Sequence, residues 1–304
     1  MEMRLNRYAV LIVGVLSVSS AAVIIRLTEA PAMVIAAYRL TLAAIVLLPI
    51  GLSRGFSRFK QVSGRDWLWI SLSSLFLSLH FALWITSLSY TSIASSVVLV
   101  TSHPAFVAVA SYFLWGERFR RLTLAGIMVA LLGVVLINYG GFTFGSRTAL
   151  GNLLALLAAF SMGAYLLIGG RLTTRVSMLS YLSLLYAFSA VILLVAAVSL
   201  GHSLLGYSPK TYLMLVLLAV VPQLIGHSCL NYAVRLMPVT LVSVAILGEP
   251  VGATILGYFV LDEVPAINEI LGGLLILAGI YLVIRYRPES PRPEITRAAN
   301  LSSG

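Results

Sequence analysis

Residues 96–117, SVVLVTSHPAFVAVASYFLWGE, and residues 242–263, VSVAILGEPVGATILGYFVLDE, decide how this chain is read. Each is an apolar run interrupted by a proline and closed by a glutamate. Each is also long enough for the ~20 residues that a helix needs to cross a membrane. Laid over one another at an offset of 146, Pro104 meets Pro250, Tyr112–Phe113 meets Tyr258–Phe259, and Glu117 meets Glu263. The match runs on through Gly126 and Gly272, Leu131 and Leu277, Gly133 and Gly279, and Leu136 and Leu282. Two Leu-rich helices share leucines by chance. The matched proline, glutamate and glycine pair do not follow from composition, and they point to an internal repeat.

Working outward, the same ruler gives ten spans: 8–25, 31–50, 67–87, 93–115, 122–139, 150–170, 178–200, 211–232, 239–260 and 266–284. The whole chain has this character. Of its 304 residues 60% are hydrophobic and 10% charged, against roughly 25% charged in a soluble domain, and the mean hydropathy is +1.01. That excludes a soluble enzyme, a nucleic-acid module and a disordered tail protein. The runs are continuously apolar rather than alternating, which excludes a β-barrel. The first span reads as a retained signal-anchor helix, because nine more follow it. The single cysteine, Cys229, lies within an apolar run and leaves no disulfide or thiolate-metal framework.

The net charge of +10 encodes orientation rather than an affinity for nucleic acid. With the N-terminus inside, sixteen Lys and Arg fall in cytoplasmic segments, three (Arg26, Arg147, Lys210) fall outside, and Arg39 lies within a span. The bias places both termini in the cytoplasm, in a cell (inner) membrane protein. Trp67, Trp69, Trp84 and Trp115 fall at span ends, where an aromatic belt belongs. Five spans repeat, and an odd number turns the second copy upside down. The expected fold is an all-α integral membrane protein with ten transmembrane helices in two inverted five-helix repeats, 1–139 and 150–285. A polar, Pro-rich tail, 286–304, reads as disordered and cytoplasmic.

The stretches PAMVIAAYRLTLAAIVLLP (31–49), SLSYTSIASSVVLVTSHPAFVAVASYFLWGER (87–118), RLMPVTLVSVAILGEPVGATILGYFVLDE (235–263) and GGLLILAGIYLV (272–283) resemble the EamA family of the drug/metabolite transporter superfamily. The resemblance covers nearly the whole chain. It implies ten helices in two inverted halves and, for most members, export of amino acids and other small metabolites. Many members carry a Trp-Gly pair in the first helix, where this chain has Ser17-Val18, so substrate stacking on that Trp does not carry over.

Several side chains are costly to bury. Arg39 stands nine residues into the second span, about 13 Å from its end at 1.5 Å per residue, where insertion costs about 2.5–3.5 kcal/mol. Glu249, midway along span nine, is the acid at matching depth, and a direct ion pair between them is expected. That pair has two readings, a structural clamp between halves or a contact for substrate or proton. Pro104 and Pro250 should interrupt their helices near the centre and free the carbonyls of Val100 and Ile246. Matched interruptions of this kind mark transporter sites, against the plainer reading of two ordinary kinks. The residues before them, His103 and Glu249, are equivalent. His80 and His227 are near-equivalent and either carry protons or bond neighbouring helices. Tyr38, Tyr165 and Tyr186 either line a cavity or simply pack. The glycine pairs Gly126/Gly133 and Gly272/Gly279 read as close helix contacts.

The function class that fits is a secondary transporter working by alternating access. An intramembrane enzyme would need a nucleophile with its base or paired metal ligands, and neither HExxH nor GxSxG is present. A channel would need a filter or a charged ring. A passive scaffold leaves the buried Arg and Glu unexplained. Phosphorylated sugars want clustered Lys and Arg, and a drug-like cation wants an unpaired acid. One buried cation with one buried anion suits a neutral or zwitterionic solute such as an amino acid. The expected partners are that small molecule, the lipid bilayer and, as a coupling ion, protons. No nucleic acid, cofactor or metal is called for, and the oligomeric state is left open, a monomer being compatible.

Overall fold

The computed structural model describes residues 6–60, 62–91, 93–139, 146–262 and 264–286. They form α1 (Arg7–Arg26), α2 (Ala32–Lys60), α3 (Gly64–Ser87), α4 (Ile93–Val100), α5 (His103–Trp115), α6 (Arg121–Ile137), α7 (Ser146–Leu172), α8 (Met178–Ser199), α9 (Pro209–Leu218), a π-helical stretch (Ala219–His227), α10 (Ser228–Leu236), α11 (Val239–Ile246), α12 (Glu249–Leu261) and α13 (Ile267–Arg285). The described residues contain nine helical segments long and apolar enough to cross a membrane, beside the shorter apolar helix α6. The chain is a multi-pass membrane protein. The tail 287–304, Arg4, Glu263 and the side chain of Trp115 lie outside what is described.

Local chemistry sets several helix starts. Asn6 caps α1 by accepting from the Tyr8 amide, Ser63 caps α3 through the Asp66 amide, and Ser208 caps α9 through that of Thr211. The outer surface is apolar. Ile12, Leu16, Met128, Leu132, Phe259 and Leu274 are each more than half exposed. Water would penalise such a band, whereas acyl chains accept it.

Three expected spans are not single helices. The fourth is α4 followed by α5, the ninth is α11 followed by α12, and the eighth is α9, the π stretch and α10. The second span runs ten residues beyond its expected end, since α2 continues to Lys60 with Pro49 inside it. Packing joins α2 to α8, α3 to α7 and α6 to α13; α1 lies against α12, the π stretch and α10, while α7 meets α4 and α5. The α6–α13 seam is built on glycine. A methyl group added to Gly133 would stand 2.6 Å from the carbonyl oxygen of Gly272, and one on Gly279 would stand 2.5 Å from that of Gly126. Only hydrogen fits at these positions, so the two backbones touch.

Candidate functional site

The broken spans place the site. The α4 ladder ends with Thr101 and Ser102 bonding back to Val97 and Leu99, and α11 ends with Leu247 and Gly248 bonding back to Val244 and Ala245. The next helices begin at His103 and Glu249, with Pro104 and Pro250 in their first turns. This corrects the expectation of kinks within continuous helices. Proline has no N–H to lose at a helix start, and its fixed φ suits that position. The prolines therefore open new half-helices. The Val100 carbonyl is not free either, since it lies 3.3 Å from Nδ1 of His103. Each bound of α11 and α12 stands 146 residues after the corresponding bound of α4 and α5.

His103 and Glu249 thus sit at half-helix N-termini, where unpaired N–H groups concentrate positive potential. Both line one cavity. Arg39, His80, His227 and Pro250 line it as well, with Phe81, Trp84 and Met162 completing the aromatic and apolar wall. The residues Ala22, Trp84, Val97 and Ala253 are shared with a vestibule of about 1130 Å³, which extends to Arg26, Leu88 and Glu269. The cavity therefore opens toward the membrane face at which α1 and α3 end.

Arg39 is buried, 3% exposed. Its Nε donates to Gln223 Oε1 at 2.7 Å, and its guanidinium lies over the Phe81 ring, 4.5 Å from the centroid. The expected ion pair is replaced by these contacts: among the described residues no ion pair joins Arg39 to Glu249, although both face the same cavity. A neutral amide and an aromatic face answer the cation without neutralising it. Glu249 is half-buried at the start of α12.

The histidines differ in their partners. His80 Nδ1 lies 3.1 Å from the Ala158 carbonyl, and its ring stacks on Trp84 at 6.1 Å. His227 meets the edge of Phe81 at 5.6 Å. Nε2 of His103, Nδ1 of His227, Nε1 of Trp84 and Nε2 of Gln223 are buried without hydrogen-bond partners. Such atoms cost free energy unless something supplies the missing bond. Four of them on or beside one cavity mark where a polar guest would be held. Among the described residues no three His, Cys, Asp or Glu side chains gather as a metal site.

The three tyrosines do not line the cavity. Tyr38 donates to the Leu204 carbonyl at 2.6 Å, near the membrane rim. Tyr165 is fully buried and accepts from Asn231 Nδ2, and the Tyr186 hydroxyl lies 3.1 Å from Ser228 Oγ. They fix α7 and α8 against α10 behind the site. Pro104 is likewise absent from the lining. Trp84, expected in an aromatic belt, instead forms a wall of the cavity, and Gln223 is a site residue that sequence reasoning passed over.

The EamA-like transporter family matches residues 7–139 and 149–285. An "Uncharacterized transporter" of Clostridium kluyveri is 24% identical over 86% of both chains. A "Probable amino-acid metabolite efflux pump" of Escherichia coli is 26% identical over 67% of this chain and 71% of its own. A protein of known crystal structure superposes with a TM-score of 0.81 at 22% identity, covering 94% of this chain and 99% of that one, which fixes the fold alone. With an apolar helical bundle, a cavity between broken helices and a family match spanning nearly its whole length, the chain belongs to the EamA-like transporter family.

Proposed function

We propose that the protein is a secondary transporter that exports small neutral or zwitterionic metabolites, amino acids among them, by alternating access. The observation that carries this reading is a single cavity holding one guanidinium, Arg39, and one carboxylate, Glu249, that do not pair with each other. An amino acid offers each its complement, a carboxylate for Arg39 and an ammonium for Glu249. The unpartnered nitrogens of His103, His227 and Trp84 supply further hydrogen bonds, and Phe81 and Trp84 offer an apolar face. A phosphorylated solute would meet one arginine where it needs a cluster, and a lipophilic cation would meet Arg39 as a like charge. The efflux-pump relative supports the same solute class.

On this reading ten spans form two inverted five-helix repeats, 1–139 and 150–285, in the inner membrane with both termini cytoplasmic. Three observations support it: the family match in each half, the coincident helix bounds, and the packing. Exchanging each span with the one five places later turns the α3–α7 contact into that of α1 with the π stretch and α10. It also turns the α1–α12 contact into that of α7 with α4 and α5, and leaves the α2–α8 and α6–α13 pairs in place. The tail 286–304 takes no part in transport on this account.

Counterflow in proteoliposomes tests the proposal. Vesicles preloaded with unlabelled small amino acids should accumulate labelled amino acid transiently, and Arg39→Gln should abolish that accumulation. Exchange of phosphorylated sugars with no response to any amino acid would overturn it.

A further inference from the structure

At the membrane face opposite the vestibule, a second cavity lies between the start of α3, the end of α5 and the end of α7. Three arginines line it, Arg65, Arg171 and Arg175, each exposed at the surface. Its other wall is apolar, and its outer members are exposed: Leu114 is 66% exposed and Trp69 38%. The carboxylate of Asp66 is also present, but it is held by the Ser63 hydroxyl at 2.6 Å as part of the α3 cap. The central cavity uses none of these residues.

We propose that this cavity is a binding site for one anionic phospholipid. Guanidinium groups recognise phosphate through parallel charge-assisted hydrogen bonds, and three arginines stand together here, one on α3 and two at the end of α7. The first turn of α3, which carries Arg65, adds the unpaired N–H groups of a helix start. Phosphate alone would leave the apolar wall exposed. A lipid lays its acyl chains along Leu114 and Ile168 and its glycerol beside Trp69, at the depth where indole rings settle in bilayers. A zwitterionic headgroup would bring an ammonium toward three arginines, so the site selects net negative lipid. Basic pockets between transmembrane helices bind such headgroups in other membrane proteins. A lipid seated here bridges α3, α5 and α7, all of which reach the transport cavity, through His80, His103 and Met162.

Native mass spectrometry of the intact protein, released from detergent with phosphatidylglycerol or phosphatidylethanolamine added, reads the site directly. One phosphatidylglycerol should be retained in preference to phosphatidylethanolamine. Arg171→Gln with Arg175→Gln should cut its retention at least about tenfold, as expected for two lost charge-assisted contacts. Arg121→Gln, an exposed basic residue outside the cavity, should leave retention unchanged. The single change Arg65→Gln is read in parallel, so that poor folding of the double variant does not remove the test. Equal retention of the two lipids, undiminished retention in the Arg65 and Arg171/Arg175 variants, or an equal loss in Arg121→Gln would overturn the proposal. Displacement of the lipid by millimolar glycerol phosphate would also overturn it, assigning the pocket to a soluble phosphate.

Discussion

Thr240, second residue of α11, donates its hydroxyl to the Glu117 carboxylate, Oγ1 to Oε2, at 3.1 Å. Ser111 Oγ lies 3.4 Å from the same hydroxyl, and Glu117 is 2% exposed. This contact joins the end of the fourth span to the start of the ninth, on the membrane face away from the vestibule. On the proposed alternating-access reading it would act as a latch on that face. Glu117→Ala should leave Thr240 with only its longer contact to Ser111, at a cost of up to about 1–3 kcal/mol, and should loosen that closure. A cysteine at Ser243 should then react faster with a soluble thiol reagent than in the parent protein. Unchanged reactivity would show that other contacts hold the face closed.

Arg39 and Gln223 should behave as one unit. Gln223→Ala removes the Nε acceptor from a buried cation, and hydrogen bonds to charged groups contribute about 1.5–3 kcal/mol. Folded yield and transport should both fall. Because Arg39→Ala removes the same bond, the double change should cost less than the sum of the two single changes. Additive losses in thermal stability would indicate that the bond contributes little.

The glycine seam gives a clear steric prediction. Gly133→Leu has no room beside the Gly272 carbonyl and should lower stability by at least about 1–3 kcal/mol, as overpacking does. Leu132→Ile, on the lipid-facing side of the same helix at 57% exposure, should be nearly neutral. Melting of the two variants in detergent separates these outcomes.

Transport should depend on pH through Glu249. A protonated carboxyl loses its charge attraction for an ammonium, so the apparent KM for an amino acid should rise as the pH is lowered from about 8 to about 5. Glu249→Gln should bind substrate weakly and show a flat profile. A parent protein whose KM is constant over that range would remove Glu249 from substrate binding.

Orientation is tested by labelling. Arg147, whose guanidinium lies 5.5 Å from the Tyr90 ring centroid, should be external, and Arg120 internal. An impermeant reagent on whole cells should modify a cysteine at position 147 and spare one at position 120; the reverse pattern would invert the proposed topology.

The membrane class, the family and the placement of Arg39, Glu249 and three histidines along one cavity were legible in the sequence, because burying such groups among apolar residues is costly wherever they lie. Their partners were less so. Charge alone points Arg39 to Glu249, but an amide oxygen also accepts from a guanidinium, and Gln223 carries no charge to advertise it. Trp84 misleads for a different reason. A tryptophan near the end of a span suits the headgroup region, and only the packing of α3 on α7 decides which way the ring turns. Pro104 and Pro250 read equally as kinks or as helix starts. The backbone bonds closing α4 and α11 settle the matter, and no residue pattern announces them.

The π-helical stretch Ala219–His227 carries Gln223 near its centre and His227 at its end. A π turn bonds each N–H one residue further back than an α turn does. The phase of α10 relative to α9 is therefore offset by that surplus. Were the stretch to rewind as ordinary α-helix, every side chain beyond it would swing around the axis. His227 would leave the cavity wall and Asn231 would part from Tyr165. The wide turn thus acts as a gear setting, and the Arg39–Gln223 bond on one side and the Tyr165–Asn231 bond on the other hold it engaged.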